Sequence, residues 1–340
     1  MLGYALRRLV WTLPLLVVVS ILCFALTDLL PGDPTAARLG QHYSKEAAAG
    51  LRREMGLDDP FLVRYGRFAG AAARLEFGDD WLKPGVSVGE EIRGRFPATF
   101  ELTLVAMAIA VVLGLVIGCV GAAFPRRLVD ATGQILALLG SSVPVFWLGM
   151  MAMLLFAVTL HWLPIPDWSP RAVAADARFS TDFLLLESLV RGDVEAFLAG
   201  LRLMALPALV LSTIPLAVIV RMTRSTMLEE LGRDYVRTAR AKGVPERRVV
   251  ARHALRNALI PIVTITGLQT GALLGGAVLT ETVFAWPGLG HYVVTGVREH
   301  NTPVVVGGVL LFSFTFVIVN LIVDLLYHVV DPRLRRAAKT

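Results

Sequence analysis

The sequence predicts an all-α polytopic membrane protein with six transmembrane helices, and three observations support this fold class. Of its 340 residues, 55% are apolar and only 18% are charged. The mean hydropathy of +0.65 lies well above the range of ordinary globular chains. Six long apolar runs follow one another, and none has the alternation of about ten residues that marks a membrane β-strand.

Each apolar run is long enough to cross a hydrocarbon layer of roughly 30 Å as a helix. The runs lie at residues 9–30, 102–124, 135–160, 203–220, 260–283 and 304–330. The first follows Arg7 and Arg8 and so resembles a signal peptide, but no small-residue cleavage pattern comes after it. We therefore interpret it as a retained first span.

Lysine and arginine in the short connections predict an N-in/C-in orientation. With a cytoplasmic N-terminus, the inner segments hold 2 + 2 + 10 + 4 = 18 of these residues. The short outer connections, residues 161–202 and 285–302, hold four and one. The first outer loop carries ten lysines and arginines, but it is long and carries as many acids, so the positive-inside rule does not apply to it.

The domain organisation follows from these spans. Residues 1–30 form the first transmembrane helix, and residues 31–98 form a small extracytoplasmic helical region in which Gly56 ends one helix and Pro60 starts the next. Residues 99–330 form a five-helix transmembrane core with a cytoplasmic loop at 221–257. Residues 331–340 form a cytoplasmic tail, and residues 161–202 are predicted to be a looser outer connection.

Several helix-breaking residues lie inside the spans. Proline occurs in the third and fourth spans, and four glycines occur in the fifth, at Pro144, Pro207, Pro215, Gly267, Gly271, Gly275 and Gly276. Small residues four apart let helices approach closely. Close packing and a pathway that changes shape both explain this pattern, and the sequence does not separate them.

The 221–257 loop concentrates positive charge. From Arg233 to Arg256 there are eight Arg and Lys against two acids, a local charge of +6 that equals the net charge of the chain. Asp234 is predicted to cap a helix starting near Tyr235, and Gly243 to end it at positive φ. Pro245 at the first position then starts a second helix that leads into the fifth span.

The short helix has a small apolar face, formed by Tyr235, Val236 and Ala239. This area is too small for strong membrane insertion. A small, mostly polar helix of this kind suits docking into a groove of a soluble partner, whereas a basic connection held by anionic lipid remains the alternative.

Polar residues inside membrane spans are candidates for a transport pathway because burying them is costly. Four of them lie deep enough to be considered, namely Gln269, Glu281, Asn320 and Asp324. Contacts between helices explain them equally well.

Several kinds of chemistry are not predicted. No Gly-Lys pair occurs, so a Walker-type ATP site is excluded, and the six histidines and two cysteines match no metal pattern. The aromatic residues show no base-stacking arrangement, which argues against nucleic acid. An intramembrane serine protease at Ser141 or Ser142 lacks its nucleophile motif. We therefore expect no catalytic residue, metal or cofactor in this chain.

The basic segment YVRTARAKG (235–243), followed by RHALRNALIP, resembles the EAA loop of ABC importer inner-membrane permeases, in the variant of the dipeptide/oligopeptide/nickel branch. Seven further stretches agree in order along the chain: LLPGDP, GLDDP, FGDD, PATFELTL, VPVFWLG, ETVFAWPGLG and DLLYHVVDPR. The long outer region after the first span is similar to that of the first of the two permease subunits.

The resemblance implies a division of labour in a bacterial inner membrane. The chain would pair with a second permease to form the pathway, two cytosolic ATPases would bind ATP and Mg²⁺, and an extracytoplasmic binding protein would deliver substrate. By position, Arg237, Thr238, Ala239 and Gly243 would couple the ATPases to the spans. Tyr235, Arg240 and Lys242 lie in the same segment and are predicted to take part.

Di- and oligopeptides are the substrates that the resemblance favours, and nickel, glutathione and oligosaccharides remain alternatives within the same machinery. Outside it, a gradient-driven secondary transporter and a membrane scaffold are the competing functions. A secondary transporter would need an ionic site near the midplane, whereas the acids of this chain lie close to the ends of the spans.

Overall fold

The computed structural model describes residues 2–29, 35, 39, 44–83, 85–166, 168–169, 173 and 179–330. The described part is all-helical apart from one isolated bridge between Asp79 and Ser87. Its helices, in chain order, are α1 (Leu2–Leu29), α2 (Lys45–Glu54), α3 (Phe61–Ala72), α4 (Val88–Ala123), α5 (Leu128–Ser142), α6 (Val145–Thr159), α7 (Leu184–Arg191), α8 (Val194–Leu231), α9 (Asp234–Ala241), α10 (Glu246–Val283), α11 (Leu289–Arg298) and α12 (Thr302–Val330).

Four of the described helices are long and apolar enough to cross a membrane, namely α4, α8, α10 and α12. A fifth crossing results if α5 and α6 form one span, although they meet at an angle of 105°. In α1, which covers the predicted first span, the apolar stretch recognised in the described residues is Thr12–Ala25, shorter than a full crossing. The described part therefore has four or five candidate spans where the sequence predicts six.

The third predicted span, residues 135–160, is not one straight helix. Val143 has an extended backbone (φ −84°, ψ 134°) and Pro144 precedes the first residue of α6. Proline disfavours helical geometry in the residue before it and lacks the N–H that would continue the helix. The chain breaks there for this reason, and the last turns of α6, Met153–Thr159, are π-helical.

Other prolines do not break their helices. Helix α8 continues through Pro207 and Pro215, and α10 continues through Pro261. Helix α8 is also longer than the predicted span at 203–220, and its final turns occupy the beginning of the predicted 221–257 loop. The segment predicted as the 221–257 loop is therefore largely helical.

The chain divides into two compact units, and the first comprises Thr99–Trp286 with the described residues from Ile318 onward. Within it, α8 packs against α5, α6, α7 and α10. Gly114 of α4 lies against Ile219, and Gly267 of α10 lies against Val323 so closely that an added Cβ would clash. These glycines serve helix packing, whereas Gly275 and Gly276 face open space.

The described part of the predicted outer connection at 161–202 has more regular structure than the sequence predicts. It contains α7, and it places Trp168 in the core of the first unit, where the indole stacks on Trp286 with 5.0 Å between ring centroids. The Glu187 carboxylate accepts hydrogen bonds from the backbone N–H groups of Ser180 and Thr181, both at 2.7 Å. This network fixes the loop that precedes α7.

The second unit comprises Leu2–Ala98 and Pro287–Val317. Its two predicted helical signals are confirmed: Gly56 has a positive φ of 62° after α2, and Pro60 precedes α3. Ser44 also caps α2. Phe24 of α1 packs on Phe61 and Phe68 of α3. A second core is formed by Val88, Ile92, Leu289, Tyr292 and Val304.

Candidate functional site

The basic segment forms a short helix between two long ones, as the sequence predicts. Helix α9 covers Asp234–Ala241, between the end of α8 at Leu231 and the start of α10 at Glu246. The predicted cap is wrong by one residue, because Arg233 has the extended backbone of a cap and Asp234 is already helical. Asp234 still favours this end, since a negative charge in the first turn interacts well with the helix dipole.

Helix α9 ends at Ala241, and two residues later Gly243 turns the chain with a φ of +75°. The Gly243 N–H donates to the Arg240 carbonyl at 2.9 Å, and the Val244 N–H donates to the Ala239 carbonyl at 3.2 Å. Left-handed backbone of this kind strains residues that carry a Cβ, so glycine suits the position. The predicted glycine break is confirmed, and Pro245 lies just before the next helix rather than at its first position.

The apolar face of α9 points into the chain, so only the rest of the helix surface is available for the predicted docking. Val236 and Ala239 are buried and form a small core with Val249 of α10, against which Leu231 and Val244 pack. A face that is already covered inside the molecule cannot be the docking surface. Its burial instead holds α9 against the ends of α8 and α10.

The opposite face of α9 is exposed and basic. Arg237 and Thr238 are exposed there, and Lys242 is exposed just beyond the helix end. Arg237 forms an ion pair with Asp234 at 3.2 Å. The surface available to a partner is therefore cationic and polar, and the predicted set divides into an inward residue, Ala239, and outward residues.

Two side chains connect α9 to its neighbours. Arg240 donates to both Glu246 oxygens, at 2.6 and 3.1 Å, across the Gly243 turn, and these hydrogen bonds raise the pKa of Arg240. The Tyr235 hydroxyl donates to Glu230 at 2.5 Å and accepts from Asn257 at 3.0 Å. Desolvation, followed by the hydrogen bond to Glu230, raises the pKa of Tyr235, so the phenol remains a donor near neutral pH.

Comparison with known proteins identifies the family. A family model described as "binding-protein-dependent transport system inner membrane component" matches residues 95–336, and a model of the N-terminal part of such components matches residues 1–103. The first match covers more than half of the chain. The chain belongs to this family. The permease is thus a multi-pass protein of the inner membrane, in agreement with its apolar spans.

Named relatives align with the permease along nearly its whole length. It is 44% identical to the dipeptide transport system permease protein of Escherichia coli K12, with 98% of this chain and 99% of the relative covered. It is 43% identical to the di/tripeptide transport system permease protein of Pseudomonas aeruginosa and 40% identical to the glutathione transport system permease protein of Salmonella paratyphi A, with the same coverage.

The candidate pathway residues of the permease differ in their surroundings. Glu281 is fully buried in the first unit and accepts a hydrogen bond from the Thr99 hydroxyl at 2.6 Å. Gln269 and Asn320 are half-buried, and the side chain of Asp324 lies outside the described residues. Glu281 thus makes a contact between two helices, and a pathway role for all four residues stays a prediction.

The sequence reasoning missed an ion pair next to the basic segment. Arg224 of α8 binds Asp130 of α5 through two hydrogen bonds of 2.6 and 2.8 Å, and the carboxylate also accepts from the Arg126 N–H and from Gln134. Asp130 is 4% exposed. An acid in the first turn of a helix is a common feature, so nothing in the sequence marked this one.

Proposed function

We propose that this permease is one of two membrane subunits of an ABC importer that carries di- and oligopeptides. A second, homologous permease completes the pathway, and an extracytoplasmic binding protein delivers the substrate. Two cytosolic ATPases hydrolyse ATP with Mg²⁺, and the permease itself performs no catalysis. The family membership and the names of the relatives support this assignment.

The observation that carries the coupling part of the proposal is the geometry of α9. Its inward face, Val236 and Ala239, is held by α8 and α10, while Arg237, Thr238 and Lys242 are exposed. A partner that binds the exposed face moves α9 as a body. Because α8 and α10 lead directly into candidate spans, such a movement is passed to the membrane part.

Peptides are the favoured substrate class. The relatives named for dipeptides and for di- and tripeptides are 44% and 43% identical to this chain, and the one named for glutathione, itself a tripeptide, is 40% identical. These names support a short peptide backbone as the common feature of the cargo. Nickel and oligosaccharides have no such support among these relatives.

The proposed topology has six spans, with α1 as the first, and both termini in the cytoplasm. The positive-inside distribution of lysine and arginine supports it. In a chain whose Cys23 and Cys119 are alanine, Lys242→Cys should react with a membrane-impermeant thiol reagent only after spheroplasts are lysed. Lys83→Cys should react in intact spheroplasts, and the reverse pattern would refute the orientation.

Uptake by proteoliposomes tests the function itself. With the second permease, the ATPases and the binding protein present, labelled dipeptide should accumulate only when ATP is supplied to the ATPase side. The permease reconstituted alone should give no uptake, with or without an ion gradient. Gradient-driven uptake by the chain alone would instead establish a secondary transporter and reject the proposal.

A further inference from the structure

We infer that Tyr235 is a positioning residue that joins α9 to both neighbouring long helices, and that it does not act by touching the ATPase. This inference rests on the proposed function and adds a role within the coupling site. It distinguishes two kinds of residue on α9: those that meet the partner and those that transmit its movement.

The contacts of the Tyr235 hydroxyl carry the inference. It donates to the Glu230 carboxylate at 2.5 Å, in the last turns of α8. It accepts from the Asn257 side-chain amide at 3.0 Å and lies 3.3 Å from the His253 carbonyl oxygen, both in α10. The Tyr235 hydroxyl oxygen therefore contacts both α8 and α10, the long helices that precede and follow α9.

The two chain connections of α9 explain why an additional contact with α8 and α10 matters. Helix α9 is linked to α8 through Gly232 and to α10 through the turn at Gly243. Glycine links bend easily, so other contacts must hold α9 to its neighbours when it is pushed. The buried core of Val236 and Ala239 holds the inner face of α9, and the Tyr235 hydroxyl adds a directional hydrogen-bonded link at the first turn.

A second side-chain connection of α9, made by Arg240, is more exposed to water. Arg240 reaches Glu246 of α10, but the two side chains are 43% and 58% exposed. Exposed ion pairs contribute little because water screens them. The hydrogen bond from Tyr235 to Glu230 is 2.5 Å long, and the Glu230 side chain is only 17% exposed, so water screens this bond less.

The local buried core fixes where Tyr235 lies. Val236 and Ala239, on the same short helix, are 0% and 7% exposed and pack on Val249. This packing holds the start of α9 beside α10 and leaves the Tyr235 side chain 37% exposed. Removing the hydroxyl alone therefore leaves the fold of the segment intact, which makes Tyr235→Phe an informative variant.

The experiment measures ATP hydrolysed per peptide imported by the complete importer in proteoliposomes. Tyr235→Phe should retain both ATPases on co-purification and should hydrolyse ATP, while the ATP used per peptide rises by about fivefold, the factor expected for one lost hydrogen bond of ordinary strength. Asn257→Ala should raise the same ratio, and combining the two changes should add little because they remove one shared contact.

A matched control removes a tyrosine hydroxyl elsewhere. Tyr65 shares a hydrogen bond of 2.8 Å with Ser20 in the second unit, so Tyr65→Phe should leave the ATP used per peptide unchanged. An unchanged ratio in Tyr235→Phe would overturn the inference. Loss of the ATPases from Tyr235→Phe on co-purification would also overturn it, since the residue would then belong to the docking surface.

The unmodified importer separates this inference from the proposed function. If the unmodified chain fails to bind the ATPases or to import peptide with them, the proposed function is wrong. If it does both, and Tyr235→Phe is coupled as tightly as the unmodified chain, the function stands and the role of Tyr235 is wrong.

Discussion

Gly243 is the residue whose backbone sets the end of α9. A Cβ added there meets no atom within 4 Å, so any effect of a substitution comes from backbone strain at φ +75° and not from crowding. A non-glycine residue in this conformation costs about 1–2 kcal/mol. A substitution at Gly243 therefore tests one property alone, the backbone conformation of the turn between α9 and α10.

Replacing Gly243 with valine should therefore weaken coupling more than folding. We expect the importer to hydrolyse ATP with reduced peptide uptake, because the strained turn no longer holds α9 at its angle to α10. Gly192 is the control, since it also has positive φ (71°) and open space, but it lies at the end of α7. Gly192→Val should lose similar stability with normal uptake per ATP. Equal uptake per ATP in both variants would contradict a specific role for Gly243.

The ion pair between Asp130 and Arg224 is a second feature at the scale of residues. The side chains are 4% and 25% exposed, so removing the carboxylate leaves a poorly solvated guanidinium. Such a loss costs about 3 kcal/mol. Asp130→Asn should lower the midpoint of thermal unfolding in detergent by about 5 °C.

The pair of Asp58 and Arg52 provides the comparison, because its side chains are 60% and 44% exposed. Asp58→Asn should change the midpoint by about 1 °C or less. A double-mutant cycle of Asp130→Asn with Arg224→Gln should show strong coupling. Additive effects of the two changes would mean that the hydrogen bonds do not contribute to stability.

At the scale of elements, α7 depends on one carboxylate. Hydrogen bonds from the Ser180 N–H, followed by those from Thr181, lower the pKa of Glu187 from 4.5 to about 2. Because the folded pKa is depressed, ionised Glu187 stabilises the loop above about pH 4.5, and this stabilisation is lost as the pH falls towards 2.

Amide hydrogen exchange should follow this titration. The protection factors of Ser180 and Thr181, corrected for intrinsic exchange, should stay constant above about pH 5 and fall as the pH drops below it. Glu187→Gln should show low protection with no such pH dependence. Protection in the unmodified chain that stays constant down to pH 2 would show that the carboxylate does not hold the loop.

The elements also show how far the sequence could predict the site. Helix α9, its glycine end and the start of α10 follow from local chemistry, and all three are confirmed within a residue. The direction of the α9 apolar face could not be predicted, because it is decided by Val249 and Leu231, which belong to other helices. The π-helical segment Val249–Ala254 has no recognisable sequence signal either.

Longer-range features were beyond the sequence for the same reason. The 105° bend between α5 and α6 follows from Pro144 only in part, since Pro207 and Pro215 sit inside a continuous α8. Whether a proline breaks a helix depends on the neighbours that satisfy the freed backbone groups. Asp130 and Arg224 are 94 residues apart, and only the packing of α5 on α8 brings them together.

At the scale of the whole molecule, the exposed surface fits a membrane protein. Many exposed side chains of the long helices are large and apolar, such as Val112 and Leu136, which are 60% and 68% exposed. In water such an apolar surface would promote aggregation, whereas in a membrane it is covered by lipid. The exposed face of α9 is polar and cationic instead of apolar, and such a face is suited to a soluble partner.

The central claim is that the outward face of α9 binds a cytosolic ATPase, and cross-linking tests it most directly. A benzophenone attached at Lys242→Cys in the assembled importer, with Cys23 and Cys119 replaced by alanine, should give an adduct with the ATPase on illumination. The same label at Lys83→Cys, on the side proposed to face away from the ATPases, should give none. Absence of an ATPase adduct from position 242 in an importer that still takes up peptide would contradict the account.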